Sequence, residues 1–223
     1  MNTHARHFHS ILLAAALLLS ALAFTVTPAR AEEKSGEHED WRFAESARAV
    51  VNGAYVENFQ VATVSFNGED SYLADQPYGS VDPDWSPDGS KIYYTAFDGA
   101  IDAIYWVRSS GGASTAVDTG CGANPDCLGD DSLAVSPSGR RLVTMRAFLP
   151  IDDNGNATNV SIFKMNIDGS NATQITFPAV GFEDHEARWS PDGRQLVFQR
   201  LALDTGFSSI YIARSDGSDA HAV

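Results

Sequence analysis

The sequence predicts an all-β fold made of repeated four-stranded antiparallel units, and three observations support this prediction. A Pro-centred turn recurs with its serines 50 and 54 residues apart, which is the length of about four strands. Segments rich in β-branched and aromatic residues follow each turn, and a Gly-containing hairpin turn recurs further along each unit. Such units are the blades of a β-propeller, here an incomplete one with two full blades and a partial blade at each end.

The first recurring turn reads Trp-Ser-Pro-Asp-Gly at residues 85–89 and 189–193, with a weaker copy at 135–139. In such a turn the serine accepts a local hydrogen bond, the proline presets φ, and the glycine supplies the positive φ of a tight hairpin. We therefore assign the repeat turns to Ser86, Pro87, Asp88 and Gly89; to Ser136, Pro137 and Gly139; and to Ser190, Pro191, Asp192 and Gly193.

Strand-like sequence lies on both sides of each Pro-centred turn. The segments after the turns, at 91–95, 141–145 and 195–199, are rich in the residue types that favour strands. Before the turns, larger apolar residues alternate with small or polar ones, as Trp85 alternates with Asp84. This alternation suits an inner strand near a crowded axis, with its bulky groups wedged between adjacent blades.

A second turn closes the next hairpin of each unit. Asn-Gly and Asp-Gly are strong hairpin signals because both residues tolerate a positive φ. A polar insertion at residues 152–156 explains why one of the repeats is longer than the others. The second turns are Asn67-Gly68, Gly111-Gly112, Asp168-Gly169 and Asp216-Gly217.

The Trp-Ser-Pro-Asp-Gly turn, an Ile-Tyr strand and an Asp-Gly turn together resemble the repeat of the TolB-type propeller family. The resemblance covers residues 59–223 and implies a non-catalytic propeller that docks a protein at one mouth of its channel. Residues 32–58 are interpreted as a charged leader and a degenerate partial blade, with a strand at 48–51 favoured over a short helix. A closed ring of that family needs about six blades. We therefore expect terminal blades with an apolar face and unpaired edges, available for edge-mediated self-association.

The first 31 residues predict a secretory signal peptide. Arg6 precedes an apolar stretch at 11–24, and Ala29-Arg30-Ala31 forms a small-residue cleavage pattern. A membrane anchor is the alternative, but this stretch is shorter than the roughly 20 residues that span a bilayer. We expect a periplasmic protein, or alternatively a secreted one, with no membrane span after signal cleavage.

The two cysteines of the chain, Cys121 and Cys127, lie in one turn-rich loop. An exported chain meets an oxidising compartment, so a disulfide is the favoured interpretation. A metal site is the alternative, but the histidines that follow the signal peptide are distant in sequence from both cysteines. Closing a loop this short contributes roughly 2 kcal/mol to stability.

Composition and charge restrict the partners that this chain can bind. Apolar residues make up 43% of the 223 residues, which excludes a disordered or fibrous protein. The net charge is −14, and removal of the signal peptide, which holds two arginines and no acids, leaves −16. An acidic surface repels phosphate backbones, so we expect no nucleic-acid partner. Candidate catalytic patterns lack their required spacing or context, so we also expect no enzymatic activity, no cofactor and no metal.

Five ionisable residues are candidate contacts at a channel mouth because they lie in the inner strands: Asp84, Glu183, Asp184, His185 and Glu186. They favour a polar or cation-binding mouth, while a solvated loop end is the simpler alternative.

The predicted function is a platform for protein–protein interaction. Similar repeats also form the gating propeller of prolyl-oligopeptidase-type serine peptidases, whose catalytic domain would be absent here.

Overall fold

The computed structural model describes residues 42–51, 54–65, 70–72, 79–152 and 157–223. Every regular element within these ranges is a β-strand. The predicted signal peptide lies outside the described residues, as do residues 153–156 of the polar insertion and the Asn-Gly turn of the first repeat. No helix within the described ranges has the length and apolar character needed to cross a lipid bilayer.

The strands form four groups of antiparallel strands in chain order, which we call blades 1 to 4; blades 2 and 3 are joined into one eight-stranded sheet. Blade 1 comprises β1 (Arg42–Val51), β2 (Ala54–Ser65) and β3 (Asp70–Tyr72). Blade 2 comprises β4 (Ser80–Trp85), β5 (Lys91–Phe97), β6 (Asp102–Arg108) and β7 (Thr115–Ala116). Blade 3 comprises β8 (Cys127–Val135), β9 (Arg141–Ile151), β10 (Ala157–Asn166) and β11 (Thr173–Gln174). Blade 4 comprises β12 (Phe182–Trp189), β13 (Gln195–Ala202), β14 (Ser208–Arg214) and β15 (His221–Ala222).

The blades are arranged as a propeller that does not close. Successive strands of a blade pair antiparallel, and the first strands of neighbouring blades contact one another, which places those strands nearest the axis. Blades 2 and 3 also share one parallel bridge, between Asp102 and Gly129. The predicted fold class, an incomplete propeller of four-stranded blades, is confirmed, and residues 48–51 lie in strand β1 rather than in a helix.

Apolar clusters fill the spaces between adjacent blades. Between blades 3 and 4, Val143 and Ile162 contact Leu196 and Phe198, and all four side chains are at most 2% exposed. Leu142, the neighbour of Val143 in β9, points the other way into the cluster shared with blade 2. Because successive residues of a strand face opposite sides, blade 3 uses both of its faces for packing. Burying one such side chain contributes about 1.5–3 kcal/mol.

The inner strands of blades 2, 3 and 4 all bulge at the same repeat position. Asp82, Ser132 and Glu186 each lie three residues before the first residue of the Pro-centred turn motif, with φ values of 50°, 50° and 52°. The strand register shifts at each of these points. A left-handed non-glycine residue is uncommon and is retained only where the surrounding structure requires it. The repeat is therefore defined by this bulge as well as by its turns.

Candidate functional site

The Pro-centred turns of the three blades share the hydrogen bonds made by the turn serine and the turn glycine. In blade 2, the Gly89 amide donates to the Ser86 carbonyl at 2.8 Å, and the Lys91 amide donates to the Ser86 hydroxyl at 2.9 Å. The Ser86 hydroxyl in turn donates to the Asp88 carboxylate at 2.6 Å. This bond and those from Ser90 lower the pKa of Asp88 to about 2. Equivalent bonds surround Ser136 and Ser190.

Successive turns also pack against each other. A Cβ atom built on Gly139 would lie 3.4 Å from Cδ of Pro87, and one built on Gly193 would lie 3.7 Å from Cδ of Pro137. Gly139 and Gly193 therefore lie against the turn proline of the preceding blade. We call this surface the turn row; its exposed residues are Pro87, Asp88, Pro137, Ser138, Pro191 and Asp192.

A cleft of about 220 Å³ lies in the turn row between blades 3 and 4. Lys164 extends across it and donates from Nζ to the Ser215 carbonyl at 2.5 Å. Loss of hydration lowers the pKa of Lys164, an effect that Asp216 opposes and Arg141 strengthens. The cleft therefore combines two positive side chains, Arg141 and Lys164, with hydroxyl groups and the carboxylate of Asp192. Its lining includes Ser136, Arg141, Lys164, Trp189, Asp192 and Ser215.

Asp184, one of the candidate channel contacts, is fully buried and serves the blade itself. Both of its carboxylate oxygens accept hydrogen bonds from Arg200, at 2.6 and 2.9 Å. The Arg200 guanidinium also lies 4.4 Å from the ring centroid of Tyr211. A paired carboxylate with no exposed surface is not placed to contact a partner, so Asp184 holds β12 to β13.

Asp84 joins two blades. Its carboxylate accepts a hydrogen bond from the Val135 amide in blade 3 at 2.7 Å, and another from the Trp85 amide at 2.9 Å. Burial raises the pKa of Asp84, although these bonds and Arg188 oppose the shift. Trp189 makes a comparable link, donating from its indole nitrogen to the Ala134 carbonyl at 3.2 Å. The inner strands are thus tied together by side chains from blades 2 and 4.

The remaining three candidates lie in β12, Glu183 near its start and His185 and Glu186 at the bulge in its middle. His185 and Glu183 pair through Nε2 and Oε2 at 2.9 Å, and the second carboxylate oxygen of Glu183 is buried without a hydrogen-bond partner. Glu186 is exposed at the bulge. The structure therefore brings Glu183 and His185 together but places Asp84 in another blade, so the five residues do not form one site. Across the described ranges, no three His, Cys, Asp or Glu side chains are grouped to hold a metal ion.

A buried Asp–Arg pair repeats in two blades. Asp130 of β8 accepts two hydrogen bonds from Arg146 of β9, at 2.7 and 2.8 Å, as Asp184 does from Arg200 in blade 4. Blade 2 has the uncharged residues Ser80 and Ala96 at the paired positions. The sequence contained this signal, since each Asp lies sixteen residues before its Arg at a constant distance from the turn, but the turns concealed it.

Asp131 is an acid of the inner strand of blade 3 that is affected by the charges of two acids in blade 2. Loss of hydration around the Asp131 carboxyl raises its pKa well above the usual range, and the charges of Asp82 and Asp102 raise it further. The carboxylate accepts one compensating bond, from the Ser132 amide at 2.8 Å. Burial and the neighbouring negative charges therefore both disfavour the charged form of Asp131.

Glycines in the second turns allow adjacent blades to approach closely. A Cβ atom on Gly169 would lie 2.2 Å from the Asp118 carbonyl oxygen, and one on Gly217 would lie 1.7 Å from the Ile175 carbonyl oxygen. Both glycines also have positive φ, at 88° and 84°. These positions therefore require glycine for interblade contact as well as for turn geometry.

The predicted disulfide between Cys121 and Cys127 is confirmed, with a Cα–Cα distance of 5.4 Å. Both cysteines are buried, at 2% and 5% exposure. The bond closes the connection between blades 2 and 3, directly before inner strand β8. It therefore supports the start of a blade and lies away from the turn row.

Comparison with known proteins supports the architecture without defining a family. No protein-family model matches the chain, and no curated protein matches it. A putative TolB from Agrobacterium tumefaciens superposes with a TM-score of 0.63 at 21% identity, over 81% of this chain and 60% of that one. A nidogen/laminin complex gives 0.58 at 13% identity, over 81% and 60%. The dipeptidyl peptidase 4 of Porphyromonas gingivalis gives 0.51 at 13% identity, over 87% and 33%.

The blades, their turns and these superpositions define the chain as a β-propeller protein. The resemblance predicted from the repeats is supported at the level of the fold, because TolB structures superpose on the blades. The fold is TolB-like, and the chain spans three-fifths of the TolB chain from Agrobacterium tumefaciens.

Proposed function

We propose that this protein is a non-catalytic, exported propeller that binds another protein through the turn row. The observation that carries the proposal is the packing of successive turns, in which Gly139 contacts Pro87 and Gly193 contacts Pro137. Binding to a preorganised surface does not require loops to become ordered, so little conformational entropy is lost and the surface is suited to recognition.

The cleft between blades 3 and 4 adds chemical selectivity to the turn row. Lys164 is partly desolvated and lies beside Arg141, so an acidic or carbonyl-rich segment of a partner would complement this position. The hydroxyl of the exposed residue Ser138 supplies a further hydrogen-bonding group. We propose that this cleft receives a side chain or a chain terminus of the partner.

Two further findings support the proposal. The nidogen/laminin complex shows a similar fold within a protein–protein assembly. The Cys121–Cys127 disulfide is consistent with an oxidising compartment, so we place the protein in the periplasm, with secretion from the cell as the alternative.

Site-specific photo-crosslinking in periplasmic extract tests this proposal. A photoreactive side chain at Ser138, in the turn row, is expected to crosslink to one protein at high yield. The matched control places it at Asp204, an exposed residue in the β13–β14 loop at the opposite end of blade 4. Equal labelling at both positions, no crosslink at Ser138, or hydrolase activity that copurifies with the chain would contradict the proposal.

A second candidate function is favoured by the superposition on dipeptidyl peptidase 4. In this alternative the blades form part of a propeller that controls access to a serine peptidase domain encoded further along the gene. Reading the gene beyond codon 223 separates the two functions. A following segment with a Gly-x-Ser-x-Gly motif between a strand and a helix would favour the gate, and further Pro-centred turns would favour the binding platform.

A further inference from the structure

A group of exposed apolar side chains lies at one end of the interface between blades 3 and 4, opposite the turn row. They come from the end of β9, from the connection between β11 and β12, from the start of β12 and from the residue before β14. Their exposed fractions range from 41% to 104%, whereas Val143 and Leu196, deeper in the same interface, are at most 1% exposed. We call this group the apolar end; it consists of Leu149, Ile151, Phe177, Val180, Phe182 and Phe207.

The members of the apolar end that belong to β9 face blade 4. Ile151 pairs with Ala157, which is buried in the cluster between blades 3 and 4, and residues paired across antiparallel strands share a face. Leu149 lies two residues after Ala147, another member of that cluster, and so projects to the same side. Both side chains therefore extend the interblade packing surface beyond the point where blade 4 covers it.

The members of the apolar end that belong to blade 4 face blade 3. Phe182 pairs with Ala202, and the Ala202 amide donates to the Phe207 carbonyl at 2.9 Å. Ala202 lies on the same side of β13 as Phe198, which is buried against blade 3, so Phe182 and Phe207 share that side. A blade that followed blade 4 would pack on its other side. The exposure of the apolar end is therefore independent of how the chain continues.

At the interface between blades 2 and 3, the corresponding end is covered by the chain itself. The connection between β7 and β8, residues 117–126, contains Cys121 of the disulfide. A Cβ atom on Gly122 of this connection would lie 3.8 Å from Cδ1 of Ile101, which is in the β5–β6 hairpin of blade 2. The connection between β11 and β12, residues 175–181, is shorter by three residues. It leaves the end of the β9–β10 hairpin uncovered.

The charges that border the apolar end are acidic. Asp126 accepts a backbone hydrogen bond from the end of β9 at 2.9 Å, and Asp204 lies in the β13–β14 loop; both are exposed. The arginines of the adjoining strands, Arg146 in β9 and Arg200 in β13, are bonded to buried aspartates. An exposed apolar surface with an acidic border complements an apolar segment that carries cations. No lysine or arginine occurs in the three segments that form the apolar end, residues 147–152, 175–182 and 201–208.

We propose that the apolar end binds a segment of a partner protein in which apolar residues are flanked by lysine or arginine. This segment supplies, between blades 3 and 4, the cover that the disulfide loop supplies between blades 2 and 3. A lipid surface fits less well, because acids at the border repel headgroup phosphates. The site lies at the opposite end of the blades from the turn row, so it goes beyond the function proposed above and does not depend on it.

Fluorescence anisotropy with a labelled peptide, Lys-Lys-Leu-Phe-Ile-Lys-Lys, tests the proposal. The full chain is expressed with its predicted signal so that the cell processes it, and we expect saturable binding with a Kd of about 1–100 µM. Phe207→Ser removes an exposed ring from the apolar end and should weaken binding about tenfold or more. The matched control is Val223→Ser, since Val223 is also an apolar residue of blade 4 with similar exposure, 81% against 78%, but follows the outer strand β15. This control should bind like the unmodified chain.

Reversing one charge tests the acidic border separately. Asp204→Lys should weaken binding of the lysine-flanked peptide and strengthen binding of Glu-Glu-Leu-Phe-Ile-Glu-Glu, each by about twofold to fivefold, as for other exposed ion pairs. A purely structural effect of the substitution would change the binding of both peptides in the same direction. Such a result would contradict the charge complementarity on which the choice of partner rests.

Each other outcome also decides the proposal. It is overturned if the lysine-flanked peptide does not bind saturably, or if Phe207→Ser and Val223→Ser weaken binding equally. Binding to phosphatidylcholine vesicles without peptide binding, or dimerisation of the chain that Phe207→Ser abolishes, would assign the apolar end to a lipid surface or to a second copy instead. Circular dichroism checks folding, and Phe177→Ser replaces Phe207→Ser if that variant does not fold.

The photo-crosslinking experiment keeps this proposal distinct from that of the turn row. A protein labelled from Ser138 and not from Asp204 is a partner of the turn row, whatever the peptide titration shows. Failure of the peptide titration therefore leaves the turn row unaffected, and absence of a crosslink at Ser138 leaves the apolar end unaffected.

Discussion

Replacing Gly217 by alanine tests whether blades 3 and 4 approach as closely as the structure shows. The new Cβ atom would lie 1.7 Å from the carbonyl oxygen of Ile175, a distance at which neither atom can remain in place. The oxygen belongs to the backbone directly after strand β11, so it cannot move aside as a flexible side chain would. The substitution therefore forces the second turn of blade 4 away from blade 3.

The cost has two parts that a control can separate. Alanine at a φ of 84° costs about 1 kcal/mol through backbone strain alone. Displacing packed backbone adds about 2 kcal/mol, in line with other overpacking substitutions. Gly206→Ala measures the first part, because Gly206 has a φ of 70° and nothing within 4 Å of its Cβ position. The expected difference between the two variants is therefore about 2 kcal/mol, or roughly 4–8 °C in melting temperature for a chain of this size.

Thermal and urea unfolding followed by tryptophan fluorescence measure this difference. Trp189 is partly buried in the cluster between blades 3 and 4 and reports on this interface directly. Equal destabilisation by Gly217→Ala and Gly206→Ala would refute the close approach. It would mean that Gly217 is required only for its turn conformation.

Three further predictions concern buried charges and the disulfide. Arg146→Ala should lower the free energy of unfolding by about 3–5 kcal/mol because it leaves Asp130 buried without its ion-pair partner. Adding Asp130→Ser should recover part of this loss, since blade 2 has Ser and Ala at the two equivalent positions. Urea titration of both variants measures the two free energies. Asp131→Asn should raise the melting temperature above neutral pH and change it little below about pH 4. The reason is that a carboxyl with a raised pKa in the folded state loses its contribution to stability as the pH rises through that pKa. Melting curves recorded across this pH range check the sign of the effect. Reducing the Cys121–Cys127 bond should lower stability by roughly 2 kcal/mol, measured by unfolding with and without reductant.

The strands and turns were predictable because they depend on local sequence. Proline and glycine at fixed positions restrict φ within a few residues, so the turns at Ser86, Ser136 and Ser190 could be placed from the sequence. The alternation before each turn likewise predicted that Trp189 would lie between blades, where its indole contacts Ala134. The disulfide followed from the short separation of the two cysteines.

The roles of the charged residues were not predictable in the same way because they depend on contacts between strands and blades. Asp184 was expected at a channel mouth, but Arg200 binds it within the blade. Asp84 was expected there too, and it accepts a bond from Val135 of the next blade. The bulge at Glu186 carries no residue type that signals a left-handed conformation. Such features arise from packing, and a single repeat does not reveal them.

Contacts between successive turns are the most direct test of the architecture on which this account rests. A nuclear Overhauser spectrum of the labelled chain should show cross-peaks from the Pro87 ring to Gly139 Hα and from the Pro137 ring to Gly193 Hα, because these residues touch across neighbouring blades. Strong strand signals without either cross-peak would contradict the account, since they would place the four-stranded units side by side rather than stacked.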